Sequence, residues 1–210
     1  HIPKAVVLTL ALLFCTACGS TRQAECVDVL SNTENSRYSF ELKYEDEKEL
    51  IAVTDKSSGE SFIIPEETFV DESYSIMSIY PTENYLYYMK GRNSGVSIYR
   101  IKLSDMTREE IIKSSDTADK SILGLTFSWS DTENRFSAVR LFTDEKNIYL
   151  IDKNGMVFVL NPFAEKITDC TCIIEESVLG GCIFDGKAIY YIDEDGVQKM
   201  YNVVNKTFRI

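Results

Sequence analysis

The sequence predicts an all-β protein assembled from repeated four-stranded antiparallel units, and three observations predict it. Beyond residue 37 the chain breaks into short runs rich in Val, Ile, Tyr and Phe, parted every eight to twelve residues or so by clusters of Asp, Asn, Gly, Lys and Glu. One of these runs recurs: Asp144 to Gly155 and Asp185 to Gly196 align without a gap at an offset of 41 residues. The composition then limits the size of the assembly. A chain of 210 residues, 44% apolar and 11% aromatic with only four prolines, fits one domain with a core, and neither a disordered tail nor a multi-domain machine.

The first segment is an address and not a fold element. Ala5 to Phe14 is an apolar run of ten behind Lys4, the length of a signal-peptide core and too short to span a bilayer as a helix. It runs into Phe14-Cys15-Thr16-Ala17-Cys18-Gly19, with small residues just before Cys18. This stretch resembles the lipobox of bacterial lipoproteins, with Cys15 where a leucine is usual. The resemblance implies a signal peptide over residues 1–17, lipid attachment at Cys18 and a location in the bacterial cell envelope. With Gly19 and not aspartate after that cysteine, the resemblance favours the outer membrane where the cell has one. A diacylglycerol and an N-acyl chain together anchor stably where a single chain is marginal. Residues 18–37 then read as anchor and polar linker.

From residue 38 the repeat takes over, in four copies at about 38–70, 75–113, 121–174 and 179–210. In the last copy strand a is Leu179 to Phe184, strand b Ala188 to Ile192, strand c Val197 to Val203 and strand d Thr207 to Ile210. The third copy reads Ser137 to Phe142, Ile148 to Ile151, Met156 to Asn161 and Lys166 to Ile174. Strand b is a continuous apolar run, as a strand covered on both faces should be. Asn154-Gly155 and Asp195-Gly196 are dipeptides suited to two-residue type I′ hairpins, in which both central residues have positive φ. Roughly 40 residues per four-stranded unit is the period of a β-propeller blade. Four copies make either a small ring or part of a larger one. The abrupt end at Arg209-Ile210 and the start at His1 without methionine favour the part.

Ile189-Tyr190-Tyr191-Ile192-Asp193 resembles the Tyr-Trp-Thr-Asp strand of low-density-lipoprotein-receptor-type propellers and a Tyr-Tyr-Ile-Asp strand of bacterial propeller lipoproteins of unknown function. Ile98 to Asp105 is similar to the strand that follows it in those families. Leu150 and Lys90 depart from the pattern. The resemblance spans about residues 75–210 and implies a fold, not a ligand.

Several kinds of chemistry are excluded or left without a carrier. The lone histidine is His1, which removes triads, histidine-ligated metals and imidazole bases from the interior. A net charge of −11, from 33 acidic and 22 basic residues, repels a phosphate backbone, so nucleic acid is not an expected partner. No cofactor is implied. Asp152 to Gly155 and Asp193 to Gly196 look like the opening of a calcium loop, yet no glutamate completes it and hairpin turns explain them. Tyr87, Tyr149 and Tyr190 recur in register, as core residues would. Among the cysteines, Cys172 with Cys182 is the preferred disulfide, with free thiols as the alternative. Phe127 and Trp129 fall in an insertion, Ser121 to Asn134, outside the repeat, and form the candidate binding surface.

The expected function is a lipid-anchored, non-enzymatic propeller that binds a protein or a glycan at the envelope. The alternative is an enzyme of the glycosidase or lyase kind with acids at the propeller channel.

Overall fold

The computed structural model describes residues 27–45, 48–64, 75–92, 95–112, 140–152, 154–163 and 171–210. Every described strand pairing is antiparallel, and the strands form four sheets in chain order. A short strand β1 (Val27–Asp28) precedes them. The first sheet has β2 (Tyr38–Glu45), β3 (Lys48–Asp55) and β4 (Ser61–Ile63). The second has β5 (Ser75–Pro81), β6 (Tyr85–Arg92), β7 (Gly95–Lys102) and β8 (Thr107–Ile112). The third has β9 (Arg140–Thr143), β10 (Ile148–Ile151), β11 (Val157–Leu160) and β12 (Thr171–Ile174). The last has β13 (Cys182–Phe184), β14 (Ala188–Ile192), β15 (Gln198–Asn202) and β16 (Thr207–Arg209), with β1 added beside β13.

Alternation along each strand stacks these sheets face to face. On β6, Tyr87 and Met89 enter a core shared with the third and last sheets, while Leu86 and Tyr88 enter one shared with Tyr38, Phe40, Ile51 and Val53 of the first. The second sheet is therefore covered on both faces, as is β10, whose four residues are all buried. At the junction of the third and last sheets, Phe142 stacks on Tyr149 with centroids 4.9 Å apart and meets the edge of Phe184 at 5.1 Å. Such pairs add to the area burial that drives association of the sheets. Consecutive meandering sheets packed face on face are blades, and the architecture is an incomplete β-propeller.

The repeated letters have repeated jobs. Asp144 Oδ1 accepts from the Lys146 and Asn147 N–H groups, and Asp144 Oδ2 accepts from the Tyr149 hydroxyl at 3.0 Å. One repeat later Asp185 does the same for Lys187, Ala188 and the Tyr190 hydroxyl, the last at 3.1 Å. The tyrosines thus sit in the core with their polar tips satisfied by the turn that precedes their own strand.

The hairpins between the second and third strands of these sheets are not of the type I′ form. Of each dipeptide, Asn154-Gly155 and Asp195-Gly196, the glycine alone occupies the left-handed region, Gly155 at φ +85° and Gly196 at φ +78°. Gly155 N–H closes the turn on the Asp152 carbonyl, and Asp152 N–H reaches the Met156 carbonyl; Gly196, Asp193 and Val197 repeat the pattern. This is the longer hairpin loop that ends in a left-handed glycine. Its cause is the aspartate, whose Oδ1 accepts from two N–H groups of the loop: Asn154 and Met156 for Asp152, Asp195 and Val197 for Asp193. A carboxylate that caps the loop from its first position stabilises the wider turn.

Residues 27–37, read from composition as the end of a polar linker, are built into the fold. Val27 and Asp28 pair with Phe184 and Ile183, and Val29 is buried in the main core. The chain then crosses to the second sheet, where Asn32 and Asn35 side-chain amides donate to the Pro81 and Thr82 carbonyls. It finishes against the first sheet, with Asn35 N–H donating to Tyr38 O and Phe40 N–H to Thr33 O. One short segment ties three sheets along their inner strands.

Candidate interaction surface

Of the residues singled out by sequence, Cys18, Phe127 and Trp129 lie outside the described residues. Cys172 and Cys182 are free thiols, so the pairing preferred from the sequence is not made in the structure. Sheet order gives the reason: β12 is the outer strand of the third sheet and β13 belongs to the inner side of the last. Cys182 is wholly buried, and that burial pushes its thiol well up from the ordinary range. Cys172 is half-buried and donates to its neighbour's carbonyl, Ile174 O, at 3.4 Å.

Charged side chains gather at one end of the last sheet, and their geometry bears on acid catalysis. Lys199 Nζ bridges Glu176 and Asp193, lying 2.9 Å from Asp193 Oδ2, and the Tyr191 hydroxyl donates to Glu176 Oε1. Hydrogen bonds to the two carboxylates raise the Lys199 ammonium, and the bond from Lys199 lowers the Asp193 carboxyl. Burial pushes the Tyr191 hydroxyl up to about 12, with Glu176 adding to it. One ammonium held by two carboxylates makes a structural tie between the connector that carries Glu176 and the hairpin that carries Asp193. A second cluster joins two sheets: the Arg100 guanidinium lies 4.8 Å from both the Tyr85 and Phe163 ring centroids and bonds Glu109. It closes a seam between the second and third sheets.

The exposed apolar side chains are distributed unevenly. Leu42, Tyr44, Phe62 and Ile63 belong to the first sheet, and Val197, Val204, Phe208 and Ile210 to the last sheet and its turns. Between these two, Phe163 and Leu179 are the exposed large apolar residues among those described. Tyr44 is 71% exposed and Phe208 54%, each on a strand whose neighbours carry charge. The sequence signal for the first of these surfaces was present in the strict alternation of Phe40, Leu42 and Tyr44 with Glu41, Lys43 and Glu45. Alternation predicts a half-buried strand, and it cannot say that the apolar face outruns the neighbouring sheet at Leu42.

These features define a class, an incomplete propeller with apolar flanks. No family model matches the chain, and no curated protein matches it. It is similar to solved structures at low identity. TolB from Acinetobacter baumannii aligns at TM-score 0.47 and 12% identity, over 83% of this chain and 40% of its own. A chain of a nidogen/laminin complex aligns at 0.47 and 14%, over 83% and 58%. A structural-genomics protein of unknown function from Bacteroides thetaiotaomicron aligns at 0.50 and 16%, over 84% and 45%. The chain therefore spans between 40% and 58% of the length of these three solved structures. Likeness at this identity speaks for the fold alone.

Proposed function

We propose that the chain is a lipid-anchored interaction module of the bacterial cell envelope, offering its propeller flanks to a protein or a carbohydrate. The observation that carries the interaction role is the exposure of large apolar side chains on the first and last sheets, Leu42 and Tyr44 along one face of β2 among them, beside charged residues. Exposed apolar clusters rimmed by polar groups mark surfaces that meet another surface. The location rests on the apolar run Ala5 to Phe14 and on Cys18. The enzyme reading draws no support from Glu176 and Asp193, because Lys199 holds both.

Fractionation tests the anchor: the natural chain sediments with membranes and Cys18→Ser moves to the soluble fraction. A chain that stays soluble with Cys18 intact overturns lipid anchoring. Co-sedimentation with native envelopes tests the module, after protease or after muramidase treatment. Loss of binding on protease identifies a protein ligand, loss on muramidase a glycan, and no binding to untreated envelopes overturns the interaction role.

A further inference from the structure

Successive residues of a strand direct their N–H and C=O groups alternately to its two sides. On β2, Tyr38 O accepts from Asn35 N–H at 2.9 Å and Phe40 N–H donates to Thr33 O at 2.8 Å, both on the side away from β3. The β2–β3 register runs from Tyr38 to Glu45 without a bulge, so Leu42 and Tyr44 turn their N–H and C=O groups to that same side, away from β3. The pairing with residues 33–35 ends at Phe40. Beyond it, no strand among the described residues pairs with β2 there.

The edge is also chemically patterned. Leu42 and Tyr44 project on one face, 43% and 71% exposed, and Glu41, Lys43 and Glu45 on the other. Strands that merely guard an edge carry charge there and avoid exposed aromatic and aliphatic side chains. The last sheet shows that an inner edge of this fold accepts a short added strand, since β1 lies on β13.

We propose that the free half of β2 is a docking edge for an extended strand of a partner protein, a reading that rests on the interaction role above. The incoming strand runs antiparallel to β2. Opposite Glu45, Tyr44, Lys43, Leu42 and Glu41 it carries, in order, a basic, an apolar, an acidic, an apolar and a basic residue. Cross-strand pairs of opposite charge on one face and apolar pairs on the other satisfy every position. A second copy of this chain fits less well. Pairing two β2 edges about Leu42 sets Tyr44 of one copy where Thr33 already bonds Phe40 of the other. Pairing about Lys43 sets lysine against lysine and Glu41 against Glu45, and pairing about Tyr44 leaves Leu42 opposite a position beyond the end of β2.

The test is a fluorescence-anisotropy titration of the full chain in detergent with the dye-labelled peptide Ser-Lys-Val-Glu-Ile-Arg-Ser. Saturable binding is expected. N-methylation of the valine and isoleucine nitrogens, which face β2, weakens it by about tenfold or more, while methylation of the glutamate nitrogen, which faces away, does not. Tyr44→Pro removes an outward N–H without touching the β2–β3 ladder and weakens binding similarly. Where that variant fails to fold, the methylated peptides decide. No binding of the unmethylated peptide, equal binding of both methylated peptides, or sedimentation showing a dimer that the peptide disperses overturns the proposal. Envelope binding that survives Tyr44→Pro sinks this edge and leaves the interaction role standing.

Discussion

On the last sheet, β1 lies along β13 and Val29 N–H reaches the Cys182 carbonyl at 2.9 Å. On the first sheet, residues 33–35 meet β2 only as far as Phe40, and five further residues of that strand, Glu41 to Glu45, have no strand on their inner side among the described residues. Burial follows the pairing. Cys182, Ile183 and Phe184 are all buried, whereas β2 is buried at Tyr38 and Phe40 and exposed from Glu41, except at half-buried Lys43. The same leader segment produces both results, because it is long enough to close one inner edge and to begin the other. An edge that is closed becomes core, and an edge left open remains available to another chain.

The largest effect should come from deleting a ring on the closed side. Phe184→Ala removes the ring that meets both Phe142 and Tyr149 and is expected to destabilise by about 3–5 kcal/mol in urea denaturation. Leu42→Ala, on the open side, should stay within about 0.5 kcal/mol of the parent. Comparable costs would mean that the first sheet is covered as the last one is.

The two repeat copies allow a finer contrast at their glycines. A Cβ on Gly155 would lie 2.9 Å from Ser177 Cα and clash with its hydroxyl, whereas one on Gly196 would meet nothing within 4 Å. Both positions have positive φ, so Gly196→Ala should cost about 1–2 kcal/mol and Gly155→Ala about 2–4, by thermal or urea unfolding. Equal losses would show that the connector carrying Ser177 yields freely.

Val29→Ala probes the closing segment itself. Truncating this buried side chain is expected to cost about 2 kcal/mol and to speed hydrogen exchange in β13. In the parent, the Leu42 and Tyr44 amides should exchange fast while those of Glu41 and Lys43, which face β3, are protected. Protection of all four would close the open edge.

The smallest effect is acid sensitivity. Hydrogen bonds from Ser57 and then Arg37 lower the Asp55 carboxyl to about 2, and the bond from Lys199 lowers that of Asp193. A carboxyl lowered by folding contributes stability above its ordinary pKa near 4 and loses it as pH falls through the folded value. The unfolding midpoint should therefore drop between about pH 4 and pH 2, and Asp55→Asn should flatten that drop. An unchanged slope in the variant would place the linkage elsewhere.

Sequence reading located strand β14 at its observed bounds, because five apolar residues between two aspartate turns leave no other register. It placed Tyr149 and Tyr190 in the core for the same reason, and their hydrogen bonds to Asp144 and Asp185 were hidden in a spacing of five that no local rule reads. The turn type escaped it, since an Asn-Gly pair serves two hairpin forms and the choice lay with Asp152, two residues earlier. Residues 27–37 escaped it as well. Val27, Val29 and Leu30 are too few to show a period, and their burial depends on sheets formed far along the chain.

Local chemistry thus determined the all-β class, the blade-length repeat, the turns at Asp144, Asp152, Asp185 and Asp193, and the apolar strands between them. Those features follow from contacts a few residues apart, which a sequence displays directly. Tertiary structure alone decided which sheet edge is closed and which is open. That choice depends on where one eleven-residue segment, 27–37, meets strands that lie from one to more than 150 residues downstream.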